Sequence, residues 1–186
     1  MARFASLWST LQDAATPPPY LLVDCAGLEA GSAEIPREIF SRVECLFTGE
    51  LAQELADVGP YLGRLRSFEA AVVNTVEELL LRQVASVAIV LPRGGAEPGF
   101  SEVHRHFRKL NVVYGPSGQP LFFRYYDPRV VVEVLSVFEP AQLDAFFGPV
   151  DALLLADAEG RVLRCMRQGG ELKVLPAQAG AQLERS

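Results

Sequence analysis

Two histidines two positions apart, three scattered cysteines and an arginine inside an aromatic run are the side chains of this sequence best equipped for chemistry. His104 and His106 lie in HRHFRKL. On a helix, residues i and i+2 point to different sides, so the two imidazoles cannot close on one metal ion from there. Cys25, Cys45 and Cys165 are an odd number, far apart, with no C-x-x-C pair, and read as reduced, small core hydrophobes. Asp24-Cys25 offers a nucleophile at a strand end but has no histidine near it in sequence to act as base. Neither G-x-S-x-G nor H-E-x-x-H occurs. The glycines of PRGGAEPG at 92–99 fit neither phosphate-binding pattern, G-x-x-x-x-G-K-[ST] or G-x-G-x-x-G, and read as a surface connection. The expectation is therefore no catalytic residue, no metal, no cofactor and no enzymatic activity.

What remains are charges and aromatics suited to holding something. Arg124 sits in LFFRYYDP, and a guanidinium cannot shed its charge, so burial there demands a carboxylate or several carbonyls. Asp127, Asp24 and Glu102 are the partners to try first. An internal brace at the corner formed by Arg124, Asp127 and Pro128 is preferred to an anion anchor, because ion pairs that shape corners are the commoner arrangement. On a helix through 101–110, Val103, Phe107 and Leu110 make the core face. His104, Arg105, Arg108 and Lys109 then fall on the other side, in an arc of roughly 140°. That is a basic face on an acidic protein, either simply solvated or a binding patch. Trp8 staples its own helix to the domain or anchors a partner.

The elements that must position these residues follow from period and punctuation. Residues 121–126 are apolar or aromatic without alternation apart from Arg124, as in a strand covered on both faces. Asp127 as N-cap and Pro128 at the first helical position then start a helix with Val130, Val131, Val134, Leu135 and Phe138 at helical spacing. Phe4, Leu7, Trp8 and Leu11 suggest a short amphipathic helix ended by Thr16 and the prolines at 17–19. A buried strand over 20–26 and a turn over 27–32 come next. A helix with Pro36 in its first turn would place Ile35, Ile39, Phe40, Val43 and Leu46 inward. Thr48 can cap a helix to about Val58, with Leu51, Leu55 and Val58 inward and Gly59-Pro60 as its stop. Beyond it are a strand over 61–65, a helix carrying Phe68, Val72, Thr75, Val76, Leu79 and Leu80 with a Glu78–Arg82 pair, and a strand over 86–91. Ser101 can cap the basic helix. Strands over 111–114 and 119–126 flank the GPSG turn. Pro140 opens a short helix with Leu143, Phe146 and Phe147 inward and Gly148-Pro149 closing it. Strands over 152–156 and 161–166 flank the DAEG turn, and 172–175 adds an edge strand. The expected fold is a single α/β domain with a mixed, partly antiparallel sheet flanked by helices. Residues 1–19 form an N-terminal helix and Pro-rich linker, 20–175 the domain, and 176–186 a frayed tail.

Composition narrows the partners. Lys plus Arg 17 against Asp plus Glu 23 leaves a net charge of −6, which speaks against nucleic acid, whose binders draw affinity from clustered positive charge. No run approaches the roughly 20 apolar residues of a membrane helix, and the N-terminal residues lack the apolar core of a signal peptide, so no membrane contact and a cytoplasmic location are expected. A hydrophobic content of 49% with 22% charged residues is ordinary for a globular protein.

Five stretches in order, YLLVDCA at 20–26, LFTGELAQELADVGPYLGRL at 46–65, HRHFRKL at 104–110, FRYYDPRVV at 123–131 and PAQLDAFFGPV at 140–150, resemble the family of domains of unknown function 4123. That family is known as the adaptor chaperones of bacterial type VI secretion. A Trp-Gly pair that the family usually carries before the 86–91 strand is absent. The resemblance implies an adaptor that binds a toxin effector and helps load it onto the VgrG or PAAR spike protein, shielding a hydrophobic segment without altering a covalent bond. It raises the weight of the partner-binding reading for Trp8, His104, Arg105, Arg108 and Lys109, with the open edge near 172–175 as a second contact. Family members often continue well beyond the shared domain, so a chain without a separate effector-binding lobe is expected here. The alternatives are a small cytosolic enzyme, hydrolase-like with unknown substrate, or a structural subunit of a self-assembled complex.

Overall fold

A computed structural model describes residues 19–81, 87–93, 98–115, 117–157 and 159–177. Its centre is a seven-stranded sheet whose every pairing is antiparallel, in the order β2-β3-β1-β4-β7-β8-β9. The strands are β1 (Tyr20–Asp24), β2 (Phe40–Cys45), β3 (Pro60–Leu65), β4 (Val87–Pro92), β7 (Val150–Ala156), β8 (Val162–Gln168) and β9 (Glu171–Pro176). A separate two-stranded ribbon pairs β5 (Val112–Tyr114) with β6 (Pro120–Phe122).

Helices cover both faces, so this is a single α/β domain in three layers. Leu21, Val23, Ile89 and Leu154 point to the face packed by Val72, Val76, Leu79 and Leu80 of α2 (Ala70–Leu81). Tyr20, Leu22, Val90, Leu153 and Leu155 point to the other, under α3 (Phe100–Leu110), α4 (Pro128–Ser136) and α5 (Pro140–Phe147). Because successive residues of a strand alternate faces, the unbroken apolar run of β1 is explained by burial on both.

The Asp127-Pro128 corner forms as read. The Asp127 side chain accepts a hydrogen bond from the Arg129 N–H at 3.0 Å, and Pro128 opens α4. The valine run is helical, with Val131 and Leu135 buried. In α5 the Glu139 and Gln142 side chains form a capping box, and Gly148 ends it at φ +47°.

Four local expectations are corrected. Residues 37–39 make a 3-10 turn and 40–45 are strand β2, where a helix through 35–46 was expected. A bulge between Phe40 and Arg42 explains the misleading period. It puts Phe40, Val43 and Cys45 on one face, a step of three followed by a step of two, which mimics helical spacing. Gly63 opposite Val43 has no side chain because a Cβ there would lie 2.3 Å from the Phe40 ring. The helix after residue 48 starts at Gly49 (φ +61°), not Thr48, and its α1 segment (Glu50–Leu55) buries nothing; Leu55 and Val58 are exposed. The basic helix α3 is entered through Gly99 rather than capped by Ser101. Finally, 121–126 is not one covered strand. β6 stops at Phe122, the Phe123 N–H still donates to the Asn111 carbonyl one rung further in the same register, the chain then turns with the Asp127 N–H donating to the Arg124 carbonyl, and only Phe123, Tyr125 and Tyr126 go into the core. Arg82 and residues 1–18, 94–97 and 178–186, including Trp8, lie outside the described residues.

Candidate functional site

Three charged or apolar features stand at the surface, and their geometry separates a structural corner from a face free to bind. At the corner, the carboxylates of Asp24 (2% exposed) and Asp127 (1%) are buried beneath guanidiniums that reach solvent. Arg124 Nη2 donates to Asp24 Oδ2 at 2.6 Å and lies 3.8 Å from Asp127. Arg129 grips Asp127 with two bonds, Nε to Oδ1 at 3.0 Å and Nη2 to Oδ2 at 2.8 Å. Two of the three partners proposed for Arg124 are therefore its partners, and the bond to Asp24 ties residues 100 positions apart. The Arg129 hydrogen bond holds the Asp127 carboxyl below its usual range, and the bond to Asp24 raises the Arg124 guanidinium further. Burial, reinforced by Asp24, pushes the neighbouring Tyr126 phenol up to about 12. Asp127, Arg124 and Tyr126 are thus each pushed away from neutral pH, which suits a brace and not acid–base chemistry.

The thiols are inert for the same reason. Burial drives Cys25 up to about 12 and Cys165 to about 11, far from a reactive thiolate. The described residues contain no group of three or more His, Cys, Asp or Glu able to hold a metal ion, and no helix long and apolar enough to cross a membrane.

On α3 the predicted basic face divides in two. A carbonyl can only accept, so the His104 Nε2–H donates to the Cys45 carbonyl at 2.9 Å, with Glu44 3.8 Å away. His104 also stacks on Phe100, over whose ring the Arg42 guanidinium sits at 4.4 Å. The His106 Nε2–H donates to the Phe146 carbonyl at 2.7 Å, and burial lowers its pKa, so it is neutral at pH 7. Both histidines thus tie α3 to its neighbours. Arg105, Arg108 and Lys109 are exposed, and among the described residues no ion pair neutralises them.

Immediately after α3 comes the feature that sequence reading missed. The β5–β6 ribbon exposes apolar side chains on both faces: Val113 opposite Leu121 on one, Tyr114 (75% exposed) and Phe122 (62%) on the other. Phe122 lies against Phe47, ring centroids 6.3 Å apart. The signal available was length: VVY and PLF around GPSG are too short to reach into a sheet, yet neither alternates with polar residues. The expected edge strand does exist as β9, with Leu175 exposed and Lys173 paired to Glu171 at 2.9 Å.

The sequence matches the family described as a domain of unknown function (DUF4123) over residues 19–145. No curated protein and no solved structure matches it.

Proposed function

The chain belongs to the DUF4123 family, and on that premise we propose that it is an adaptor chaperone of bacterial type VI secretion. It binds a toxin effector in the cytoplasm, shields an apolar effector segment, and passes the effector to the VgrG or PAAR spike without turning over any substrate. The observation that carries this reading is the ribbon. Contiguous apolar surface rimmed by charge marks interaction sites on soluble proteins, and a lone two-stranded ribbon is marginal in water unless something packs on it. The protonation-locked groups at the corner and the raised thiols also favour binding over catalysis.

Co-expression with a candidate type VI toxin effector from the same genome tests the reading. The effector should be soluble and co-purify when the protein is present, and should aggregate and fail to reach the medium when the gene is deleted. An effector that stays soluble and is secreted without the protein overturns it.

A further inference from the structure

The basic helix α3 runs directly into the apolar ribbon, and hydrogen bonds tie both to the Cys45–Phe47 segment. The His104 bond to the Cys45 carbonyl fixes one flank of α3 against the chain that continues through Leu46 to Phe47. Arg108 is one turn beyond His104 on that flank, since i and i+4 share a face. The helix end is pinned to the same segment by Asn111, whose Nδ2–H donates to the Leu46 carbonyl at 2.9 Å, and the Asn111 carbonyl in turn accepts from Phe123 at the foot of the ribbon. Arg108 thus shares the flank of α3 that His104 fixes to this segment, whose Phe47 meets Phe122, with Arg105 and Lys109 further round the exposed side of the helix.

Charge decides what this surface accepts. The chain carries a net −6, so an acidic partner is repelled by the molecule as a whole and is welcome only where cations outnumber anions. From Arg105 to Lys109 is about 6 Å along a helix axis, inside one Debye length of about 8 Å at physiological salt, so the three cations act together. Each ribbon strand also has one edge that no strand of the described residues pairs, leaving main-chain groups for an extended chain.

We infer that the ribbon and the Arg105–Arg108–Lys109 face of α3 together hold one extended segment of a partner protein, in which apolar residues alternate with carboxylates. This rests on the adaptor reading and specifies the chemistry of what the adaptor grips: aromatic and aliphatic contacts from Phe47, Tyr114 and Phe122 supply the affinity, and the cations select the acidic sequence.

Two synthetic peptides with Leu and Phe at alternate positions, one with Glu between them and the other with Lys, test this by fluorescence anisotropy on the full chain. The Glu peptide should bind at least about 10-fold more tightly at low salt, the gap closing at high salt. Arg105→Glu with Arg108→Glu should abolish the preference at low salt, whereas Tyr114→Ser with Phe122→Ser should remove binding at both salts, each variant keeping its circular dichroism spectrum. Binding by neither peptide, equal binding of the two, or self-association that Tyr114→Ser with Phe122→Ser abolishes overturns the inference. Retention of the effector by variants that have lost the Glu peptide would also overturn it while leaving the adaptor function intact.

Discussion

Arginine does opposite work at the two ends of residues 105–129. Arg124 and Arg129 face buried aspartates at 2.6 and 2.8 Å, and their charge is committed to partners within the chain. Arg105 and Arg108 meet no carboxylate of the described residues and are open to a partner. Residue type alone cannot separate these roles; what separates them is whether a carboxylate has been buried opposite. A braced arginine contributes through the cost of leaving its partner buried and unpaired, whereas a free one contributes little until something binds.

The sharpest way to break that contrast is at Asp24. Arg124→Met should strand a nearly buried carboxylate and lower stability by roughly 3 kcal/mol in urea unfolding. Arg124→Met combined with Asp24→Leu should recover most of the loss, because an apolar pair of similar volume removes the unpaired charge. Full additivity of the two would mean that the pair does not interact. Next, Asp127→Ala removes both the α4 cap and the Arg129 grip, at an expected cost of about 2 kcal/mol.

A smaller effect follows from pH. Burial holds the folded His106 pKa below 6.5, so the unfolded chain takes up the proton first; stability is full above pH 6.5 and declines as pH falls towards the folded value. Asp127 adds to the decline below the ordinary aspartate value of 3.8, because its folded pKa is depressed. Thermal midpoints measured from pH 7.5 to 5 should fall, and His106→Gln should flatten that part of the profile. An unchanged slope would remove His106 from the account. Smallest of all, Arg105→Glu and Arg108→Glu should each change stability by less than about 0.5 kcal/mol, as expected for exposed cations without partners.

The sequence exposed the corner and hid the ribbon, for different physical reasons. Asp127-Pro128 is a local signal: cap geometry and proline's fixed φ act within three residues, so the helix start and the Asp127 role were readable. The Arg124–Asp24 pair was readable as a short list of candidates because a charge in an aromatic run demands an answer. By contrast, Leu121 and Phe122 differ from Phe123 and Tyr125 in whether α4 and α5 pack over them, a long-range fact that residues 121–125 do not carry. The β2 misreading has the same origin, since the bulge at Phe40 and Arg42 is chosen by the β3 edge and not by residues 40–45 themselves. Likewise His104 looked like a member of a surface arc until the carbonyl of Cys45 appeared opposite it.

Hydrogen–deuterium exchange of the protein with and without the Glu-containing peptide reads the contrast directly, since both regions report in one experiment. Binding should slow exchange across 112–122 and along α3, and leave β1 and the start of α4 as they were. Protection centred on the Arg124 corner or confined to β9, with the ribbon exchanging as fast as in the free protein, would contradict the account.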